Sequence, residues 1–341
     1  MTDELTQPPA LKGMPHTPAR ISRACYSLSG PNRERNEDAC SLPPRGAAEQ
    51  RLGTLLVVAD GVGGMRGGAD ASWEAAAYLQ ALFYASAGPD QPEERLRVCF
   101  EGVNDLNRLA KESQPDQTGS QPDQPESRLT TLVAVVIRKD QVWVANIGDS
   151  RAYHIRASNG MRQQLTEDHS SQVRMQKAGL PSEAGVVESQ KGIITRAIGM
   201  PGRCQPDIYH YTWEPGDRLV LCSDGLASLK TDEMSSISLQ YPPRQAAREL
   251  VERAVQIDGS DNCTALVAAW EDTSSPPNAG NVAPGGESLR RTGLRRREGK
   301  SSERAPLSLL VLYLLLGLIL GWLSAVLVYL ILTGTGANLL Y

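Results

Sequence analysis

The sequence predicts an α+β domain, and three observations predict it. Short runs rich in Val, Leu and Ile recur between turn residues, which is the pattern of buried strands. Longer stretches carry an apolar residue every three to four positions, which is the pattern of amphipathic helices. The two kinds mix adjacent strands with segregated helices, on a chain of 341 residues that is 40% apolar and 22% charged.

Residues 1–20 hold three prolines before residue 16 and no apolar core of a signal peptide, so they read as a flexible leader. Residues 21–271 read as the catalytic domain. Its strand-like runs are LLVVAD (55–60), TLVAVVI (131–137), QVWVANIGD (141–149), DRLVLCSD (217–224) and TALVAAW (264–270). Its helix-like stretches are Ala69–Ala87, Pro92–Glu112 and Pro243–Asp258, all too long for strands. Residues 113–128, SQPDQTGSQPDQPESR, repeat the tetrad QPDQ without a large apolar side chain and read as a low-complexity surface loop.

Residues 272–305 form a Pro/Gly/Ser-rich and then basic linker. Within it, 290–304 hold seven Arg/Lys against Glu298 and Glu303, a local +5 in a chain of net −4. The body is therefore acidic, which excludes nucleic-acid binding as its business. Leu307–Leu332 runs for 26 residues without a charge, about 39 Å of helix, enough to cross a bilayer with tilt. A single transmembrane helix is expected over 306–333, followed by a short tail, 334–341. The basic flank lies on its N-terminal side, so the positive-inside rule sets the catalytic domain in the cytoplasm, at a bacterial inner membrane. Gly317 and Gly321 make a G-x-x-x-G pair, continued by Ala325, that would suit a homodimer contact.

The six cysteines form no C-x-x-C pair. Cys25, Cys40, Cys222 and Cys263 lie in or beside apolar runs and are expected as free thiols packed as small hydrophobes in a reducing compartment.

The chemistry lies in the aspartates. Asp60, Asp149 and Asp224 each directly follow an apolar run, in VVADG, ANIGDS and LCSDG, while Asp261 opens DNCTALVAAW and Glu37-Asp38 sit in GPNRERNEDA. Any one of these is ordinary turn chemistry. Four at strand ends, with the acidic pair before them, suit one oxygen-ligand site for a hard cation such as Mg²⁺ or Mn²⁺. Zinc fits poorly, since there is no thiolate pair, no His-x-x-x-His and only four histidines. Of these, His169 is expected to have a hydrogen-bonding structural role.

The ordered set R-x-x-N-E-D (Arg33 to Asp38), D-G-x-G-G (Asp60 to Gly64) with Ala71-Ser72, Thr130-Thr131, G-D-S-R (Gly148 to Arg151), L-T-x-D-H-S (Leu165 to Ser170), S-D-G-L (Ser223 to Leu226) and Asp261-Asn262 resembles the metal-dependent protein phosphatases, the 2C-type serine/threonine phosphatases. The resemblance covers residues 21–271. It implies a β-sandwich of two antiparallel sheets flanked by helices, in four layers α/β/β/α. It implies hydrolysis of phosphoserine and phosphothreonine in proteins by a metal-activated water, opposing a Ser/Thr kinase. Asp60 matches the carboxylate that bridges two Mn²⁺ or Mg²⁺ ions, and the Gly61 carbonyl an added ligand. Asp224 and Asp261 match the ligands that complete the pair, and Asp149 with Asp224 a third-metal site. Glu37, Asp38 and Asn262 match the surrounding shell, and Arg33 matches the phosphate-binding arginine, with Arg35 as a nearby rival. Residues 171–194 match the family's flap.

Two cations about 3.5–4 Å apart would lower the pKa of a shared water and neutralise phosphate charge without a covalent phosphoenzyme. One departure stands out: Val62 occupies the position where some members, chiefly eukaryotic, carry a His proposed as general acid, and it tilts the origin towards bacteria. Thiolate, aspartyl, phosphohistidine and G-N-H-E phosphatase motifs are absent, as is a P-loop. The alternative reading is a membrane-tethered pseudophosphatase or phosphoprotein-binding scaffold, against which the retention of every metal carboxylate speaks.

Overall fold

The computed structural model describes residues 20–43, 46–62, 67–85, 87–113, 128–177 and 193–271. The expected leader up to residue 19, most of the QPDQ loop, most of the flap, the linker and the run 307–332 lie outside the described residues; Arg20, the leader's last residue, opens the first strand. Among the described residues no helix is long and apolar enough to cross a membrane.

In chain order the elements are β1 (Arg20–Leu28), β2 (Asp38–Ser41), α1 (Ala47–Leu52), β3 (Thr54–Asp60), α2 (Gly68–Tyr84), α3 (Pro92–Ser113), β4 (Leu132–Arg138), β5 (Gln141–Ile147), β6 (Arg151–Ile155), β7 (Arg162–Gln164), α4 (Ser171–Lys177), β8 (Asp207–Thr212), β9 (Arg218–Cys222), α5 (Thr231–Gln240), α6 (Pro243–Ile257) and β10 (Cys263–Glu271). They build two sheets of five strands, in the orders β1-β10-β9-β6-β7 and β2-β3-β4-β5-β8. Every strand pairing is antiparallel.

The central strands carry side chains into two different cores. Along β3, Leu55, Val57 and Ala59 meet Leu79, Phe83, Leu96 and Phe100 of α2 and α3, while Leu56 and Val58 meet Leu219, Leu221 and Leu266 of the other sheet. On the far side, Val220, Ala265 and Val267 pack on Ala246, Leu250 and Ala254 of α6. A strand buried on both faces needs an apolar residue at every position, which is why these strands read as continuous Val/Leu runs instead of alternating. The helices start where their sequences permit: α3 and α6 open with Pro92 and Pro243, whose missing N–H is no loss in a first turn. Buried Arg95 fastens the α2–α3 turn by donating to the carbonyls of Phe83 at 2.7 Å and Gly88 at 3.0 Å.

One expectation is corrected. Cys25 and Cys40 form a disulfide, 6.8 Å apart at Cα, and are not free thiols. It joins β1 of one sheet to β2 of the other, a proximity that only the packing of the sheets creates. Cys99, Cys204, Cys222 and Cys263 are free and buried. Arg128, the last residue of the QPDQ stretch, is buried and paired with Glu74 at 2.6 Å, so that stretch rejoins the core one residue earlier than its composition implies.

Candidate metal centre

Five aspartates meet at one end of the sandwich because strands end or begin there. Asp38 opens β2 and faces Asp60, the last residue of β3, in register. Asp149 follows β5 after Gly148, Asp224 follows β9 after Ser223, and Asp261 precedes β10. Asp60 is held by its backbone: its N–H donates to Thr131 Oγ1 at 2.9 Å, and its carbonyl accepts from the Thr131 N–H and the Thr130 hydroxyl, both at 2.8 Å. Thr131 Oγ1 in turn meets Ser150 Oγ at 2.6 Å.

Two glycines are required by close approach. The Gly61 N–H donates to the Glu37 carbonyl at 3.0 Å, and a Cβ on Gly61 would run into the backbone of Gly68. Gly148 has φ +104°, and its Cβ would come within 2.6 Å of Thr131. The Ser72 hydroxyl donates to the same Glu37 carbonyl at 2.5 Å, tying the start of α2 to this loop.

The electrostatics are those of anions awaiting a counter-charge. Asp60 is pushed well above its ordinary 3.8, first by burial and then by Asp38, Asp224, Asp149 and Asp261. Asp38 rises to about 6, first by burial, against the lowering effect of the Ser223 hydroxyl, which donates to its Oδ2 at 2.7 Å. Asp149 rises to about 7, by burial and then by Asp224. Asp224 rises by burial and by Asp261, eased by a hydrogen bond with Asp60. Glu37 is raised by its partial burial. Asp38 Oδ1 is buried without a hydrogen-bond partner.

A divalent cation fits this donor set: an orphaned carboxylate oxygen and mutually repelling acids are what a hard cation relieves. Among the described residues, however, no three such side chains already surround one point as a finished cage. Arg33 Nη2 donates to Asp261 Oδ2 at 2.7 Å and its Nε to the Ser260 carbonyl at 3.1 Å. Arg35 contributes its carbonyl, which accepts from Asn262 Nδ2 at 3.1 Å. Asn262 Oδ1 accepts the Glu37 N–H at 3.0 Å, so Asn262 shapes the loop that carries Glu37 and Asp38.

Other motif residues act behind these. Arg151 of G-D-S-R grips Asp168 of L-T-x-D-H-S through Nε at 3.0 Å and Nη2 at 2.7 Å. His169 Nδ1 accepts the Gly148 N–H at 3.0 Å, while its Nε2 meets Asp207 Oδ2 at 3.0 Å and Arg196 Nη1 at 2.8 Å. Burial lowers the His169 pKa, and with Nδ1 accepting from Gly148 the Nε2–H is the donor to Asp207. The motif letters mark Arg151 and Asp168, and Ser72, Ser150 and Ser223 as well, but not which groups those hydroxyls meet: the Glu37 carbonyl, Thr131 Oγ1 and Asp38 Oδ2.

Comparison with known proteins agrees with this arrangement. The family described as Protein phosphatase 2C matches residues 31–267. The serine/threonine phosphatase stp of Listeria monocytogenes is 32% identical over 231 residues, 66% of this chain and 88% of that protein. The crystal structure of the Mycobacterium tuberculosis serine/threonine phosphatase PstP superposes with a TM-score of 0.59 at 29% identity, over 74% of this chain and 99% of that one. A structure of the PstP catalytic domain in complex with 2 manganese ions has a TM-score of 0.59 at 27% identity, over the same 74% and 99%. Sandwich, motif order and acidic end together make this chain a member of the protein phosphatase 2C family.

Proposed function

We propose that this protein serine/threonine phosphatase dephosphorylates phosphoserine and phosphothreonine at the acidic end of its sandwich. Asp60, the Gly61 carbonyl, Asp224 and Asp261 would hold two Mn²⁺ or Mg²⁺ ions, and Asp149 with Asp224 would hold a third. Asp60 carries this reading: four other carboxylates lie close enough to raise its pKa, a crowding of negative charge that divalent cations would relieve. When bound, such ions neutralise the phosphoryl group and lower the pKa of the attacking water. The manganese found with the PstP catalytic domain supports the choice of cation.

The chain's own residues orient and exclude. Arg33 exchanges Asp261 for the phosphoryl oxygens, to which its planar fork offers parallel charge-assisted hydrogen bonds. Asp38 is aimed by the Ser223 hydroxyl and Glu37 by Asn262. The test is phosphate release from a phosphothreonine peptide by the full chain, with Mn²⁺, with chelator, and with Asp224→Asn. Release that needs Mn²⁺ and drops to background in the variant supports the reading. Silence of the wild type with Mn²⁺ bound would favour a phosphoprotein-binding scaffold.

The uncharged run 307–332 and the basic stretch 290–304 support a single-pass anchor in a bacterial inner membrane, with the catalytic domain in the cytoplasm facing the products of a Ser/Thr kinase. Gly317 and Gly321 offer a homodimer contact within that anchor. Fractionation tests it: the full chain pellets with membranes and a chain lacking 306–333 does not, whereas a soluble full chain would rule the anchor out.

A further inference from the structure

A groove of about 640 Å³ opens along β8, and it is basic where the metal centre is acidic. Arg97 of α3, Arg196 and Arg203 line it, with Asp207 and Tyr209 of β8, so three cations face one carboxylate. We propose that this groove is a specificity site for an anionic side chain of the phosphoprotein, a carboxylate or a second phosphate, three to four residues from the phosphorylated residue. The proposal rests on the phosphatase reading and extends it to substrate choice.

The groove is wired to the site. Arg196 forms its inner wall, donating to Asp207 Oδ1 at 2.7 Å and touching His169 Nε2 at 2.8 Å. His169 in turn accepts the N–H of Gly148, the residue before Asp149. In register, Asp207 faces Asn146 across β5 and β8, so Asp149 lies three residues further along the chain. Three residues reach at most about 10 Å and neighbouring strands lie about 5 Å apart, so the Asp207 end of the groove lies within about 15 Å of Asp149, a span of about four extended residues of a bound peptide.

The other two arginines are available to a ligand. Arg97 pairs with Glu93 and Arg203 with Glu101, but the arginine side chains are 49% and 75% exposed and the glutamates 55% and 42%. Exposed pairs of that kind hold each other weakly, and neither glutamate lines the groove. A fork of guanidinium groups in a groove matches a carboxylate or phosphate better than a neutral or basic side chain. The rest of the chain carries net negative charge, so this patch is a local inversion.

The test compares phosphothreonine peptides bearing Glu, phosphoserine, Ala or Lys three or four residues from the phosphothreonine, on the full chain with Mn²⁺, wild type against Arg97→Glu/Arg203→Glu. p-Nitrophenyl phosphate, too small to reach the groove, reports the metal centre alone. Wild type should prefer the Glu and phosphoserine peptides to the Lys peptide by about tenfold in kcat/KM. The double variant should lose or invert that preference, with p-nitrophenyl phosphate turnover unchanged. The preference should also shrink at high salt. The Glu and phosphoserine arms separate a carboxylate site from a phosphate site. Equal turnover of the four peptides by wild type overturns the proposal, as does an unchanged preference in the variant. If wild type hydrolyses nothing, the phosphatase reading fails. The groove is then judged by fluorescence anisotropy of the same peptides in chelator, where equal affinity for Glu and Lys peptides overturns it.

Discussion

At the scale of single residues, the site is a problem of unbalanced charge, and Arg33 brings a positive charge to one of its acids. Its guanidinium occupies Asp261 Oδ2 at 2.7 Å with both side chains about one-third exposed, so it can leave without uncovering a buried charge. Removing it therefore separates two roles. Arg33→Ala should lower kcat/KM for phosphopeptides by roughly 10- to 100-fold, the value of a lost charge-assisted contact to phosphate. Mn²⁺ affinity, measured by calorimetry, should stay the same or rise, because a competitor for Asp261 is gone. Wild-type kinetics in Arg33→Ala would end its assignment as the phosphate partner. The acids themselves were legible in the sequence because each abuts a strand, and a strand end fixes where a side chain emerges. The motifs contain Ser72, Ser150 and Ser223 too, but the partners of these hydroxyls were not legible, since a hydroxyl's partner depends on which loops the fold brings beside it.

At the scale of elements, legibility followed unbroken apolar runs. β3, β4, β5, β9 and β10 stood out because helices cover one face and a second sheet the other, leaving long Val/Leu runs. β2 is four residues long, β7 is Arg-Gln-Gln, and β8 is an edge strand with exposed positions, so none carries a pattern that separates strand from loop. The Cys25–Cys40 bond was hidden for a related reason: its two cysteines are 15 residues apart in sequence and lie on strands of different sheets. Closing a loop of that length should stabilise the fold by ~3 kcal/mol in the chain-entropy account. Thermal unfolding of the oxidised chain should therefore occur several degrees above that of Cys25→Ser/Cys40→Ser, and reductant should bring the wild type down to the variant. Coincident melting of oxidised and reduced wild type would show that the crosslink adds nothing to a sandwich already held by three cores.

At the scale of the whole molecule, the same acids that would make a cation site make the cation-free fold sensitive to pH. In the unfolded chain these carboxyls ionise near the ordinary 3.8, whereas in the fold Asp38 and Asp149 are raised to about 6 and about 7, and Asp60 and Asp224 are raised with them. The cation-free fold thus binds more protons than the unfolded chain across that window. Its extra stability is fully present below the unfolded values and is lost as pH climbs through 6 and 7. A cation reverses the trend, since it binds the ionised carboxylates and competes with the protons for them. In chelator, Tm should fall between pH 5 and pH 8. Mn²⁺ at about a hundred times its Kd should raise Tm at pH 8 by roughly 5 to 10 °C for each ion bound, and by much less at pH 5. Asp60→Asn should flatten the slope in chelator and abolish the Mn²⁺ response, because it removes the carboxylate on which the repulsion of the other four converges. A Tm in chelator that is level across this range, or a Mn²⁺ shift greatest at pH 5, would mean that the buried acids are held by something other than exchangeable protons and cations.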